Sequence, residues 1–111
     1  MKGILYIDET AIGEVNFKVI DRSMGAIGGD LVPNDAYNEF RNIIQDCVEK
    51  KGIANIDDLN LKITLVDNTI INPAGGIVVT DVPGCEDIFI EAAGLDFELI
   101  NLIEASESGK I

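Results

Sequence analysis

The chain has 111 residues, enough for one domain with a core that closes without disulfides or metals. Apolar residues make up 47% and charged residues 25%, the balance of a globular chain, and no apolar run approaches the roughly 18 residues of a membrane span. Twenty acids against eight bases give a net charge of −12, and there is no histidine.

The missing histidine removes the usual general base, the Ser-His and Cys-His pairs and every His-containing zinc site. The negative charge works against nucleic acid and anionic membranes, which are bound by neutralising phosphate with Lys and Arg. The opening MKGILYIDET carries an apolar run too short for a secretory signal, so a cytoplasmic, bacterial-type protein is expected.

Residues 4 to 8 (ILYID) predict a short strand. Residues 14 to 20 (EVNFKVI) alternate, with Val15, Phe17 and Val19 on one face, which predicts a half-buried strand. DRSMG then reads as a turn and AIGGDLV as a glycine-softened strand. The glycines of IDRSMGAIGGDLVPND raise the question of a phosphate loop. Their G-x-x-G-G order, the four residues before the next helix and the flanking Asp30 and Asp35 argue for close backbone approach instead.

The strongest periodicity runs from Asn34 to Lys51. Ala36, Tyr37, Phe40, Ile43, Ile44, Cys47 and Val48 form an apolar stripe at helical spacing. Asn34 is the expected N-cap and Gly52 the left-handed residue that ends the helix, with Ile53 folding back. LNLKITLV (59 to 66) alternates as a strand, Asp67-Asn68 turns, and TII pairs back. NPAGG turns again before the strand IVVTDV (77 to 82). PGCED is a Pro-Gly turn into its hairpin partner IFIEAAG (88 to 94). Residues 95 to 104 alternate at Leu95, Phe97 and Leu99 and predict a last strand, although Ile100, Leu102 and Ile103 also suit a short helix. Residues 105 to 111 read as a frayed tail.

The order β-β-β-α-β-β-β predicts one α+β domain over residues 1–104. In it a two-layer antiparallel sheet of five to seven strands carries one amphipathic helix on a face.

Cys47 and Cys85 match no metal spacing and read as free thiols. Cys85 is followed by Glu86 and Asp87, which disfavour its thiolate, and Ser23 has no base to activate it. The pairs Asp57-Asp58 and Glu86-Asp87 lack a calcium-loop pattern. No cofactor or metal site and no catalytic residue is expected.

Charge is spread unevenly. Residues 1 to 51 carry nine acids and six bases, residues 52 to 111 eleven acids and two bases, and no base lies between Lys62 and Lys110. The leading expectation is therefore a non-enzymatic binding protein, most concretely an immunity-type inhibitor. It docks a basic protein partner such as a toxin through Asp81, Glu86, Asp87, Glu91, Asp96, Glu98 and Glu104. The turn bearing Arg22 and Met24 is a second candidate contact. The competing expectations are a homodimer built through strand edges and a small-molecule enzyme using Asp and Tyr groups.

Overall fold

The computed structural model describes residues 1–52, 54–55, 59–65, 68–71 and 73–107. Alternation builds the first strands. In β1 (Lys2–Ile7) Leu5 and Ile7 point into the core, and in β2 (Thr10–Asn16) Ile12 and Val15 do so. β2 and β3 (Lys18–Asp21) form one ribbon against β4 (Ala26–Pro33) in a common register, with Gly13 opposite Pro33, Val15 opposite Leu31 and Lys18 opposite Gly28. The strand expected at 14–20 is therefore present, longer than predicted and interrupted at the fully buried Phe17.

The glycine stretch is explained by packing. Asp21 Oδ1 accepts the Ser23 hydroxyl and the Ser23 and Met24 N–H groups, which closes the turn and holds the Asp21 carboxyl below its ordinary range. Gly25 follows at φ +62°. Its carbonyl accepts the Leu95 N–H at 3.1 Å, and a Cβ there would lie 2.4 Å from the Leu95 carbonyl oxygen. Gly28 lies under the Phe89 ring, 2.7 Å from where its Cβ would be. The stretch is a turn and a strand made thin so that two later segments can approach.

Helix α1 (Tyr37–Lys51) starts three residues later than expected. Asn34 does not cap it. Its Oδ1 accepts the Ala36 N–H and its Nδ2 donates to the Ala11 carbonyl, so it ties the approach segment to β2. The helix ends as predicted at Gly52, φ +88°, whose N–H donates to the Val48 carbonyl at 2.8 Å; Ile53 lies outside the described residues. Tyr37, Ile44 and Val48 are buried and Phe40 and Cys47 pack partly, but Ile43 is 51% exposed, so the buried stripe is narrower than predicted.

The remaining elements are β5 (Ala54–Asn55), β6 (Leu61–Leu65), β7 (Ile70–Ile71), β8 (Gly76–Asp81), β9 (Ile88–Ala93) and α2 (Phe97–Glu107). The β8–β9 hairpin forms as expected across a turn in which Cys85 N–H meets the Val82 carbonyl and Gly84 has φ +89°. Asn68 turns with φ +67° between β6 and β7; Asp67 and Asn72 lie outside the described residues. All strand pairs are antiparallel, in the order β5-β8-β9-β4-β2-β1-β6-β7, with β3 beside β4. Among the described residues this is an α+β fold with a curled sheet and two helices, more strands and one more helix than expected. Helix α1 packs on β8 and α2 against β3.

Residues 95 to 104 are not a strand. Gly94, at φ +81°, ends β9, and Asp96 Oδ1 accepts the Leu99 N–H at 2.9 Å as a helix cap. The residues that bury are Ile100 and Ile103, one helical turn apart. The helix also absorbs residues 105–107 of the expected tail, and Glu107 accepts the Val19 N–H at 2.7 Å; residues 108–111 lie outside the described residues.

Gly25→Ala places a Cβ against the Leu95 backbone at a positive φ and is expected to cost about 2 kcal/mol or more, read as a lower urea midpoint with an unchanged slope.

Candidate functional site: an acid-rimmed groove beside α2

The expected surface acids separate into five environments. Asp81 is not on the surface. It is fully buried at the end of β8, where Tyr37 donates its hydroxyl to Oδ2 at 2.7 Å and Gln45 donates Nε2–H to Oδ1 at 3.2 Å. The correction has a simple cause: Asp81 falls in phase with Ile77 and Val79, the inward residues of β8, and helix α1 covers that face. Burial, then the hydrogen bond and charge of Asp81, push the Tyr37 hydroxyl far above its ordinary pKa, against a smaller opposing effect of Arg41. Arg41 lies over the Tyr37 ring at 5.2 Å.

Arg22 and Glu104, expected as separate contacts for a partner, satisfy each other. Arg22 pairs with the Glu104 carboxylate, donates to Asn101 Oδ1 and stacks over the Phe97 ring at 4.6 Å. This half-exposed cluster clamps the β3–β4 turn to α2 across 82 positions of sequence. Met24, on the same turn, is 64% exposed, close to what was expected of it.

Glu86 and Asp87 are exposed in the β8–β9 turn. Glu91 is half-buried on the outer face of β9, opposite Gly28 on one side and Val78 on the other. None of these three is among the described residues that line the groove holding Asp96 and Glu98.

Asp96 and Glu98 do come together. Both line a groove of about 400 Å³ between α2 and the β6–β7 hairpin, with Leu65, Thr69, Ile70, Ile71, Leu95, Leu99 and Leu102. The floor is apolar, the rim carries the two carboxylates, and no Lys or Arg is among these residues. Ile70 is 53% exposed and Leu102 42% exposed. Asp96 uses one oxygen to cap α2, and Glu98 sits in the first helical turn, where a negative charge is favourable. A second cavity of about 500 Å³ shares Ile70 and Ile71 and is also lined by Leu61, Lys62, Pro73 and Ile77.

The groove offers two carboxylates on an apolar bed, which suits binding of a cationic, partly apolar group. Asp81 and Tyr37, the Asp and Tyr nearest each other, are enclosed in the core. Among the described residues no three His, Cys, Asp or Glu side chains converge as metal ligands. Cys47 is half-buried and Cys85 exposed, both free; the Asp57-Asp58 pair lies outside the described residues. No described helix is long and apolar enough to cross a membrane.

Ile70 and Leu102 were missed as groove residues because each belongs to a short segment that reads as core until the fold places it at an edge. Comparison of the chain with protein-family models, with curated proteins and with solved structures gives no match.

Asp81→Ala strands the Tyr37 hydroxyl and the Gln45 amide and is expected to cost about 2–4 kcal/mol, whereas Asp81→Asn, which can still accept from Tyr37, costs about 1. Because the folded Tyr37 holds its proton above the unfolded pKa of about 10, its contribution is whole below that pH. It is then lost at about 1.4 kcal/mol per pH unit as pH rises further. Stability measured from pH 9 to 11.5 checks this, and Tyr37→Phe is expected to remove that part of the alkaline slope.

Proposed function

We propose that this chain is a non-enzymatic binding protein that docks a basic protein segment in the groove beside α2. In its most concrete form it is an immunity-type inhibitor, holding a basic toxin such as a nuclease inactive in a bacterial cytoplasm. The observation that carries the reading is the groove itself: an apolar floor with Asp96 and Glu98 on its rim and, among the described residues, no basic side chain lining it. The whole stretch between Lys62 and Lys110 adds negative charge without a compensating base. An apolar bed supplies area to bury, and the carboxylates and surrounding field supply steering and discrimination against acidic partners.

The clamp of Arg22 on Glu104 refines the expected surface. Glu104 already has its cation, so the electrostatic contact is assigned to Asp96 and Glu98, with Glu86, Asp87 and Glu91 acting at longer range. A homodimer through strand edges is the competing occupant. A second copy carries the same net charge of −12, which works against placing it on these acids.

The test compares the wild type with the double variant Asp96→Asn/Glu98→Gln, which keeps a capping oxygen at 96 and removes both charges. Partners captured from the native host and identified are expected to be basic. Their association rate is expected to fall about tenfold or more between about 50 and 500 mM salt, and at low salt in the double variant. A neutral or acidic partner, or rates indifferent to both changes, would refute the reading; light scattering that finds a dimer broken by Ile70→Glu would favour the second copy.

A further inference from the structure

We infer that the groove receives its partner as an extended segment, which adds a strand to the open edge of β7 while its Lys or Arg side chains face Asp96 and Glu98. The inference rests on the binding reading above and specifies the form of the partner.

The hydrogen-bond parity of the β6–β7 hairpin supplies the argument. Leu65 N–H donates to the Thr69 carbonyl at 2.9 Å, so Leu65 and Thr69 form a hydrogen-bonded pair. Antiparallel ladders alternate bonded and non-bonded pairs. The next pair, Thr64 and Ile70, is therefore non-bonded, and the following one, Ile63 and Ile71, is bonded. The N–H and C=O of Ile70 consequently point away from β6. Among the described residues no further strand pairs with β7, which ends the sheet order.

Ile70 and Ile71 line the acid-rimmed groove together with Leu99 and Leu102 of α2, and line the neighbouring cavity as well. A channel between an edge strand and a helix suits main-chain pairing on one side and side-chain contact on the other. In an added strand, alternate side chains turn to opposite faces. One set would meet the apolar floor at Leu65 and Leu99, and the other the rim and solvent, where the two carboxylates sit. A helical partner satisfies its own amides and makes no use of Ile70. Charge complementarity selects the chemistry of the segment and the exposed backbone pair selects its conformation.

The experiment pans a display library of random dodecapeptides against the full chain, with the Asp96→Asn/Glu98→Gln variant as counter-target, and synthesises the enriched peptide. The expected sequences alternate apolar residues with Lys or Arg. Binding of the peptide is expected to slow hydrogen exchange at the Ile70 amide about tenfold or more. N-methylation of the peptide amides on the edge facing β7 should weaken binding about tenfold or more, as should Ile70→Pro, which removes an outward N–H and no rung of the β6 ladder. The methylated peptide decides the matter on wild-type protein if Ile70→Pro does not fold. Basic peptides with helical spacing, or methylated peptides that bind as well as the parent with Ile70 exchange unchanged, overturn strand addition and leave basic docking standing. Failure to enrich any basic sequence over the counter-target overturns the groove reading and this inference together.

Discussion

One buried carboxylate fixes where the helical layer meets the sheet. Asp81 sits fully enclosed at the end of β8, and both of its oxygens are taken by α1, one by Tyr37 and the other by Gln45. The two donors are eight positions apart on the helix, so the pair sets its rotation as well as its height over β8. Apolar packing through Ile44 and Val48 would tolerate a small slide; a carboxylate that loses a donor in a dry interior would not. The same contact positions the inner face of β8, and through its ladder β9 and the approach to Gly94. Helix α2 and the groove thus inherit their place from a hydrogen bond made in the other layer.

Much of the secondary structure is legible locally. Alternation in EVNFKVI, LNLKITLV and IVVTDV, the Pro-Gly turn and the glycine end of α1 all correspond to described elements. The failures share a cause. Leu95, Phe97 and Leu99 alternate as a strand would, but a cap at Asp96 and burial at Ile100 and Ile103 favour a helix, and that packing depends on β3 from the far end of the chain. Asn34 was a reasonable cap by composition, yet its amide is drawn to Ala11, a partner no local window contains. Asp81 is the instructive case: it shares the parity of Ile77 and Val79, but only the cover of α1 and the donors Tyr37 and Gln45 make that parity a buried site for a carboxylate.

The acidity of the chain is also less uniform in role than its sum suggests. Asp21 closes a turn, Asp81 anchors a helix, Asp96 caps one, Glu104 answers Arg22 and Glu107 accepts a backbone N–H of β3. These carboxylates have structural work, part of it in the half expected to be a docking surface. The candidate site was legible as a charge imbalance and not as a place. Only the β6–β7 hairpin and α2 together bring two acids to an apolar bed, and the Arg22 clamp withdraws a third.

The strand order has a kinetic side. β4 pairs with β2 and β3 from the first thirty residues or so and with β9 from the last thirty, and β1 likewise pairs with β2 and with the distant β6. During synthesis the N-terminal hairpins can form, but the outer edges of β1 and β4 stay bare until β6 and β9 have emerged. Such non-local pairing favours slow folding and exposes unsatisfied strand edges in the meantime. The nascent chain therefore passes through a state whose open ladders lie at the centre of the finished sheet. The Arg22–Glu104 clamp can close only after residue 104 has been made.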